Sequence, residues 1–184
     1  MARPDIVELP LAGAFHYRPH PHHDHRGSFS RLTCDETLRD AGMNTTWVQT
    51  NLSRTKARGT VRGMHYQKPP FDEIKLLTCL SGCVYDVLVD LRPDSPTFGQ
   101  WTGIELDGAA ADTLYIPSGL AHGFQTLSDD VTLHYSHSAA FSPDHQAGLS
   151  YRDPQVAIRW PLPITALSDR DAELPNLKIL EEAL

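Results

Sequence analysis

The sequence predicts an all-β fold, and three observations predict it. Strand-length runs of apolar or alternating residues recur at intervals of about 8–12 residues. Turn-forming residues stand between those runs, where most of the 14 prolines and 12 glycines fall. Helical spacing of apolar residues is confined to two short stretches.

Taken along the chain, 35–41 reads as a short helix that Gly42 stops. Strand runs follow at 46–53, 60–66, 73–80, 83–91, 98–106, 113–116, 123–127 and 131–137. Between them stand Lys68-Pro69-Pro70, Ser81-Gly82, Arg92-Pro93-Asp94-Ser95-Pro96, Asp107-Gly108, Pro117-Ser118-Gly119 and Ser128-Asp129-Asp130. The chain ends on 176–184, an amphipathic helix with Leu177, Leu180 and Leu184 on one face. No repeat, low-complexity tract or linker divides it, so residues 1–184 read as one domain of sandwich or barrel type.

Composition narrows the function. A chain of 184 residues with 40% hydrophobic and 21% charged residues is globular and can bury a core without staples. Its net charge of -7 argues against a nucleic-acid partner, which demands clustered Lys and Arg. A nucleotide ligand needs only a few local cations. The three cysteines, Cys34, Cys79 and Cys83, do not form a secreted disulfide framework. The N-terminus lacks the apolar run of a signal peptide, and no stretch reaches the roughly 20 apolar residues of a membrane span. The expected location is the cytoplasm, with no membrane partner. The His-rich run of His16, His20, His22, His23 and His25 reads as a surface feature rather than a chelator.

Three segments carry chemistry. In Arg62-Gly63-Met64-His65-Tyr66-Gln67, followed by Glu73-Ile74-Lys75, the pair Pro69-Pro70 lies midway between His65 and Lys75. A hairpin about Pro70 would set these two side by side on one face, Cβ atoms roughly 5 Å apart. Two neighbouring cations repel, which favours the neutral imidazole that a general base needs. A surface hairpin with two solvated side chains accounts for the same spacing. In Ile116-Pro117-Ser118-Gly119-Leu120-Ala121-His122, a tight turn delivers His122 to the start of a strand. In Asp24-His25-Arg26-Gly27-Ser28-Phe29, the glycine lets a guanidinium approach a phosphate, and a plain surface turn fits equally well.

The segment Pro117-x-Gly119-x-x-His122 resembles the second signature of the cupins, whose fold is a double-stranded β-helix, or jelly-roll barrel. Where the first cupin signature carries His-x-His and a Glu as metal ligands, this chain has His65-Tyr66-Gln67 and then Glu73. Gln is a poor ligand for Zn or Fe. A metal-dependent cupin using His65, Glu73 and His122 therefore stands as the alternative, and no metal or other cofactor is the leading expectation.

The ordered set of motifs resembles the dTDP-4-dehydrorhamnose 3,5-epimerase family. It comprises Asp24-x-Arg26-Gly27-x-Phe29, Gln49-Thr50-Asn51, the segment from Arg62 to Gln67, and Lys75-Leu76. It continues with Val87-Leu88-Val89-Asp90-Leu91-Arg92, Ser95-Pro96-Thr97-Phe98-Gly99-Gln100-Trp101, the segment from Ile116 to Phe124, Asp153-Pro154, Trp160-Pro161 and Leu167-Ser168-x-Arg170-Asp171. The resemblance runs collinearly over about residues 10–177. It implies a cupin-type barrel with short peripheral helices. It implies a cofactor-independent epimerase that inverts C3, C5 or both in a nucleotide-linked 4-keto-6-deoxyhexose through an enolate, in the biosynthesis of a rhamnose-like deoxysugar. A keto-sugar isomerase or a non-catalytic binder on the same barrel are its near alternatives.

The resemblance also implies roles. His65 would be the base, oriented by Asp171; Tyr135 the acid on the opposite sugar face; Lys75 the donor at the enolate oxygen. Arg26, Gln49, Asn51, Arg62, His122 and Arg170 would hold sugar and diphosphate. Phe141 stands where the family has a Tyr that stacks on the base, and keeps the stacking face. Arg31 and Gln146 replace acidic residues near the nucleotide, which leaves the carrier open between dTDP, CDP and others. The family is typically a homodimer with exchanged N-terminal strands, so Arg26 and Phe29 would serve the partner's pocket.

Overall fold

The computed structural model describes residues 2–181. Its strands are β1 (Asp5–Glu8), β2 (Phe15–Arg18), β3 (His22–Asp24), β4 (Gly27–Phe29), β5 (Gln49–Thr55), β6 (Val61–Gln67) and β7 (Lys75–Ser81). They continue with β8 (Cys83–Asp90), β9 (Trp101–Asp107), β10 (Thr113–Ile116), β11 (Leu120–Thr126), β12 (Val131–His137) and β13 (Gln146–Gly148). Three short helices are α1 (Asp35–Asp40), α2 (Asp169–Ala172) and α3 (Leu177–Glu181).

Two antiparallel sheets face each other in the jelly-roll arrangement that the sequence predicts. One has the order β1-β2-β10-β7-β12-β5, the other β13-β6-β11-β8-β9. Between them lies a core that includes Leu77, Leu114 and Leu133 from the first sheet and Val84, Leu88 and Phe124 from the second. Both outer faces are covered as well. On the second sheet, Met64, Val87 and Val89 pack against Leu149, Val156 and Leu177 of the C-terminal segment. On the first, Leu76 and Tyr115 pack under Leu38 of α1. This double cover explains why β7 and β8 read as nearly continuous apolar runs instead of alternating ones.

The predicted strands lie close to the observed ones, and the differences have physical causes. The run at 46–53 is shifted to 49–55. The short strands β1 to β4 and β13 carry too few alternating residues to register as strands. Helix α2 is a single turn, below the length at which helical spacing shows. Of the C-terminal helix, Leu177 and Leu180 are buried, whereas Leu184 lies outside the described residues.

The hairpin about Pro70 does not form. Strand β6 pairs with β11 and β13, and β7 pairs with β10 and β12. Both edges of each strand are occupied, so the segment between them carries the chain from one sheet to the other. His65 and Lys75 nevertheless meet, because they face each other across the barrel interior: Lys75 Nζ donates to the His65 carbonyl at 3.3 Å.

One buried ion pair braces the rim. Asp90 is fully buried and accepts from Arg92 Nε and Nη2, from Ser95 Oγ at 2.6 Å and from Thr97 Oγ1 at 2.6 Å. Burial alone would raise its pKa, but these bonds outweigh burial and bring it down to about 2. A carboxyl held below its unfolded value of about 3.9 stabilises the fold above that pH and loses this contribution as pH falls through the folded value. We expect Asp90→Asn to lose on the order of 2 kcal/mol at neutral pH. The gap from the parent should narrow between about pH 4 and pH 2. Urea unfolding at both ends of that window checks it; a gap independent of pH would contradict it.

Candidate active site

Between the sheets opens a cavity of about 620 Å³, within the range of small-ligand sites. Its lining is set strand by strand. On β6, Arg62 and His65 are three residues apart and would face opposite ways in a regular strand. Both line the cavity because the register with β11 shifts: His65 lies opposite His122, and Arg62 opposite Phe124. Three steps on one strand oppose two on the other, a bulge that re-aims a side chain. Gly63 sits in this bulge with φ +127°, and a Cβ there would stand 2.5 Å from the Gly123 Cα. Only glycine fits.

His65 Nε2 is 2.7 Å from Asp171 Oδ1. Asp171 is fixed at both carboxylate oxygens and at its backbone. Its other oxygen accepts the Gly63 N–H at 3.0 Å, and Ser168 caps α2 by accepting the Asp171 N–H at 3.1 Å. Burial alone would raise the Asp171 carboxyl, but the bonds from His65 and Gly63 hold it below the ordinary carboxylate range. Asp171 therefore stays ionised and accepts the Nε2–H. The lone pair of His65 then lies on Nδ1.

The facing sheet supplies the other groups. Tyr135, on β12, lines the cavity with its ring edge-on to His122, centroids 6.1 Å apart. Burial raises the Tyr135 phenol above its ordinary value near 10; the Asp86 carboxyl adds to this and the Arg62 guanidinium opposes it. It is a proton donor throughout the neutral range. Lys75, on β7, pairs with Glu73 at 3.2 Å. Burial would raise Glu73, but His137 and Lys75 together hold it low. The charge of Lys75 is thus balanced by Glu73, which replaces the bare cation repulsion expected from a hairpin.

Gln49 and Asn51 of β5, Phe141, Gln146 and Arg170 also line the cavity, Phe141 half-exposed at its mouth. His122 lines it too, with Nε2 3.0 Å from Asp86 Oδ2. Three predicted residues are elsewhere in this chain. Arg26 pairs with Asp24 at 2.6 Å, and Phe29 is 65% exposed, both on the β3–β4 hairpin that joins neither large sheet. Arg31 lies beside Cys34 and Tyr17 in a separate shallow depression. None of the three lines the cavity of its own barrel.

Sequence reasoning missed Asp86 and His137. A carboxylate in the middle of the apolar run of β8 was the available signal for the first. For the second it was the two-residue spacing from Tyr135, which puts both side chains on one face of a strand. Among the described residues, no three His, Cys, Asp or Glu side chains are placed to hold a metal ion. His65, His122 and Glu73, the three required by the metal-dependent alternative, are each bonded to other protein groups.

A base on one wall faces a phenol and an ammonium on the other. Such groups can move a proton beside a carbonyl. The family model for dTDP-4-dehydrorhamnose 3,5-epimerase matches residues 8–179. A dTDP-4-dehydrorhamnose 3,5-epimerase from Mycobacterium tuberculosis is 40% identical over 175 residues, covering 93% of this chain and 86% of the relative. The crystal structure of NovW, a 4-keto-6-deoxy sugar epimerase from the novobiocin cluster of Streptomyces spheroides, superposes with a TM-score of 0.94 at 35% identity. That match covers 99% of this chain and 92% of NovW. A Legionella pneumophila dTDP-6-deoxy-D-glucose-3,5-epimerase, solved with dTDP-4-keto-L-rhamnose, gives a TM-score of 0.92 at 34% identity, over 98% of this chain and 96% of that one. On this agreement of sequence and fold, the chain belongs to the dTDP-4-dehydrorhamnose 3,5-epimerase family.

Proposed function

We propose that this chain, acting over residues 1–184 as one domain, inverts C3, C5 or both in a nucleotide-linked 4-keto-6-deoxyhexose, in the making of a rhamnose-like deoxysugar. The observation that carries the reading is the entry of His65 and Tyr135 into one cavity from opposite sheets, with Lys75 beside them. A C–H next to a ketone is acidic because its carbanion delocalises onto the carbonyl oxygen. His65, oriented by Asp171, removes that proton. Lys75 donates to the enolate oxygen. Tyr135 returns a proton from the other face, so the centre inverts. Acid–base help contributes about 10²–10⁴-fold and preorganised donors to the oxygen about 10²–10³-fold. The route calls for neither metal nor nicotinamide.

Arg62, His122, Gln49, Asn51, Arg170 and Gln146 hold sugar and diphosphate in this reading, and Phe141 stacks on the base. The dTDP-sugar bound by the Legionella relative supports a nucleotide carrier. Gln146 in place of an acid keeps CDP and other carriers in the test. The working unit is a cytoplasmic homodimer in which the β3–β4 hairpin brings Arg26 and Phe29 to the partner's cavity. The exposed Phe29 on an undocked hairpin supports the exchange, and three unpaired cysteines suit a reducing compartment. A sedimentation profile showing only monomer would remove the dimer.

The direct test is NMR in heavy water with dTDP-, CDP-, GDP- and UDP-linked 4-keto-6-deoxy sugars and chelator-treated protein. Deuterium should enter at C3, C5 or both with inversion on at least one carrier. No exchange with any of them would end the proposal.

A further inference from the structure

His137 lies two residues beyond Tyr135, and the roles assigned above leave it unused. It sits inside a continuous line of hydrogen bonds. The Phe141 N–H donates to Gln49 Oε1 at 3.0 Å, and Gln49 Nε2 donates to Asn51 Oδ1 at 3.3 Å. Asn51 Nδ2 is 3.2 Å from His137 Nε2, and His137 Nδ1 is 2.7 Å from Glu73 Oε2. Glu73 Oε1 takes the Lys75 ammonium at 3.2 Å. His137 and Glu73 are both about 10% exposed at the side chain, so water does not substitute for these partners.

The line has one permitted direction, because its two ends can only donate. A backbone N–H has no acceptor lone pair, and neither has an ammonium. Phe141 therefore makes Gln49 accept through Oε1 and present its NH₂ to Asn51. Asn51 in turn presents its NH₂ to His137. His137 Nε2 must accept, which leaves its proton on Nδ1, where Glu73 receives it. Reversing the Asn51 amide would reverse Gln49 and set its NH₂ against the Phe141 N–H. An imidazolium at 137 would set Nε2–H against the Asn51 NH₂.

We propose that His137 is a positioning residue held as the neutral Nδ1–H tautomer, which locks Glu73 and through it the Lys75 ammonium in the cavity. Glu73 then has both oxygens committed, one to each neighbour. Lys75 has one N–H on Glu73 and one on the His65 carbonyl at 3.3 Å, leaving a third for the enolate oxygen. Without His137 the Glu73 carboxylate loses its charge-assisted partner and can turn, and Lys75 turns with it. The proposal rests on the epimerase reading only for what Lys75 then does.

Two measurements test it. The first needs no substrate: ¹⁵N-imidazole NMR of the wild-type protein at about pH 8, the His137 signal identified by its loss in a His137→Asn protein. The expected result is the Nδ1–H tautomer; Nε2–H or imidazolium overturns the proposal. The second is turnover. His137→Ala should lower kcat roughly 10- to 100-fold, the scale of one lost hydrogen bond to a charged group. KM should move less than about threefold, and exchange at the carbon in heavy water should fall with kcat. His137→Asn, which keeps a donor near the Nδ1 position, should recover most of kcat. A kcat within about twofold of wild type in His137→Ala, or a loss confined to KM, overturns the proposal. If the Ala variant does not fold, the tautomer decides. If the wild type exchanges with no substrate, the epimerase reading fails, and the tautomer still reports on the line of bonds.

Discussion

Replacing His65 by Ala should lower kcat by about 10²–10⁴-fold and lower carbon-bound proton exchange equally. The expectation follows from position. His65 reaches the cavity through a bulge that only Gly63 allows, and its Nε2 is committed to Asp171 at 2.7 Å. Nδ1 is the nitrogen left to take a proton. Asp171→Asn should produce a loss on the same order, by a different route. A carboxamide can present its NH₂ to Nε2, which would move the imidazole proton to Nδ1 and abolish the base without removing the ring. Product NMR with and without heavy water measures both variants, and unfolding midpoints show whether they remain folded. A His65→Ala protein that exchanged at the wild-type rate would defeat the assignment of His65 as base.

Tyr135→Phe should lower the rate of inversion by about 10²–10⁴-fold with little loss of stability. The hydroxyl has no hydrogen-bond partner among the described residues, so none is broken. The ring retains its contacts with His122 at 6.1 Å and His137 at 5.9 Å. Only the hydroxyl, and with it the proton it donates, is removed. Because burial raises the phenol above its ordinary range, no fall in rate from its ionisation should appear at neutral or mildly alkaline pH. A pH–rate profile of the wild-type protein that declined through pH 8–9 in step with Tyr135 would contradict this part.

Much of the barrel was legible because its turns are punctuated by Pro, Gly and Asp, because β7 and β8 carry long apolar runs, and because β12 alternates apolar and polar residues. Pairing was not legible. The separation of His65 from Lys75 suggested a local hairpin, whereas the two residues meet through sheets whose neighbours are distant in the chain. A jelly roll pairs strands non-locally, and spacing within one segment cannot report that. The site divides in the same way. His65, Lys75 and His122 announced themselves as polar residues at strand positions. Asp171, 106 residues from His65, entered only through the family resemblance. The β6 bulge needed coordinates, since it depends on Gly63 and Gly123 packing backbone to backbone. Asp86 and His137 passed unread because a carboxylate or imidazole on a buried strand looks like an interruption until its partner is known. The placement of Arg26 and Phe29 outside their own cavity follows from a hairpin that pairs with itself alone, and Arg31 follows it into a separate depression beside Tyr17.

In the proposed reaction one imidazole removes the proton on one side of the sugar while a phenol delivers it on the other. Exchange and inversion should therefore come apart in Tyr135→Phe. Incubated in heavy water with the 4-keto sugar nucleotide that the wild type turns over, this variant should place deuterium at the carbon while the recovered sugar keeps its starting configuration. Inverted product at the wild-type rate, or loss of exchange together with inversion, would contradict the account.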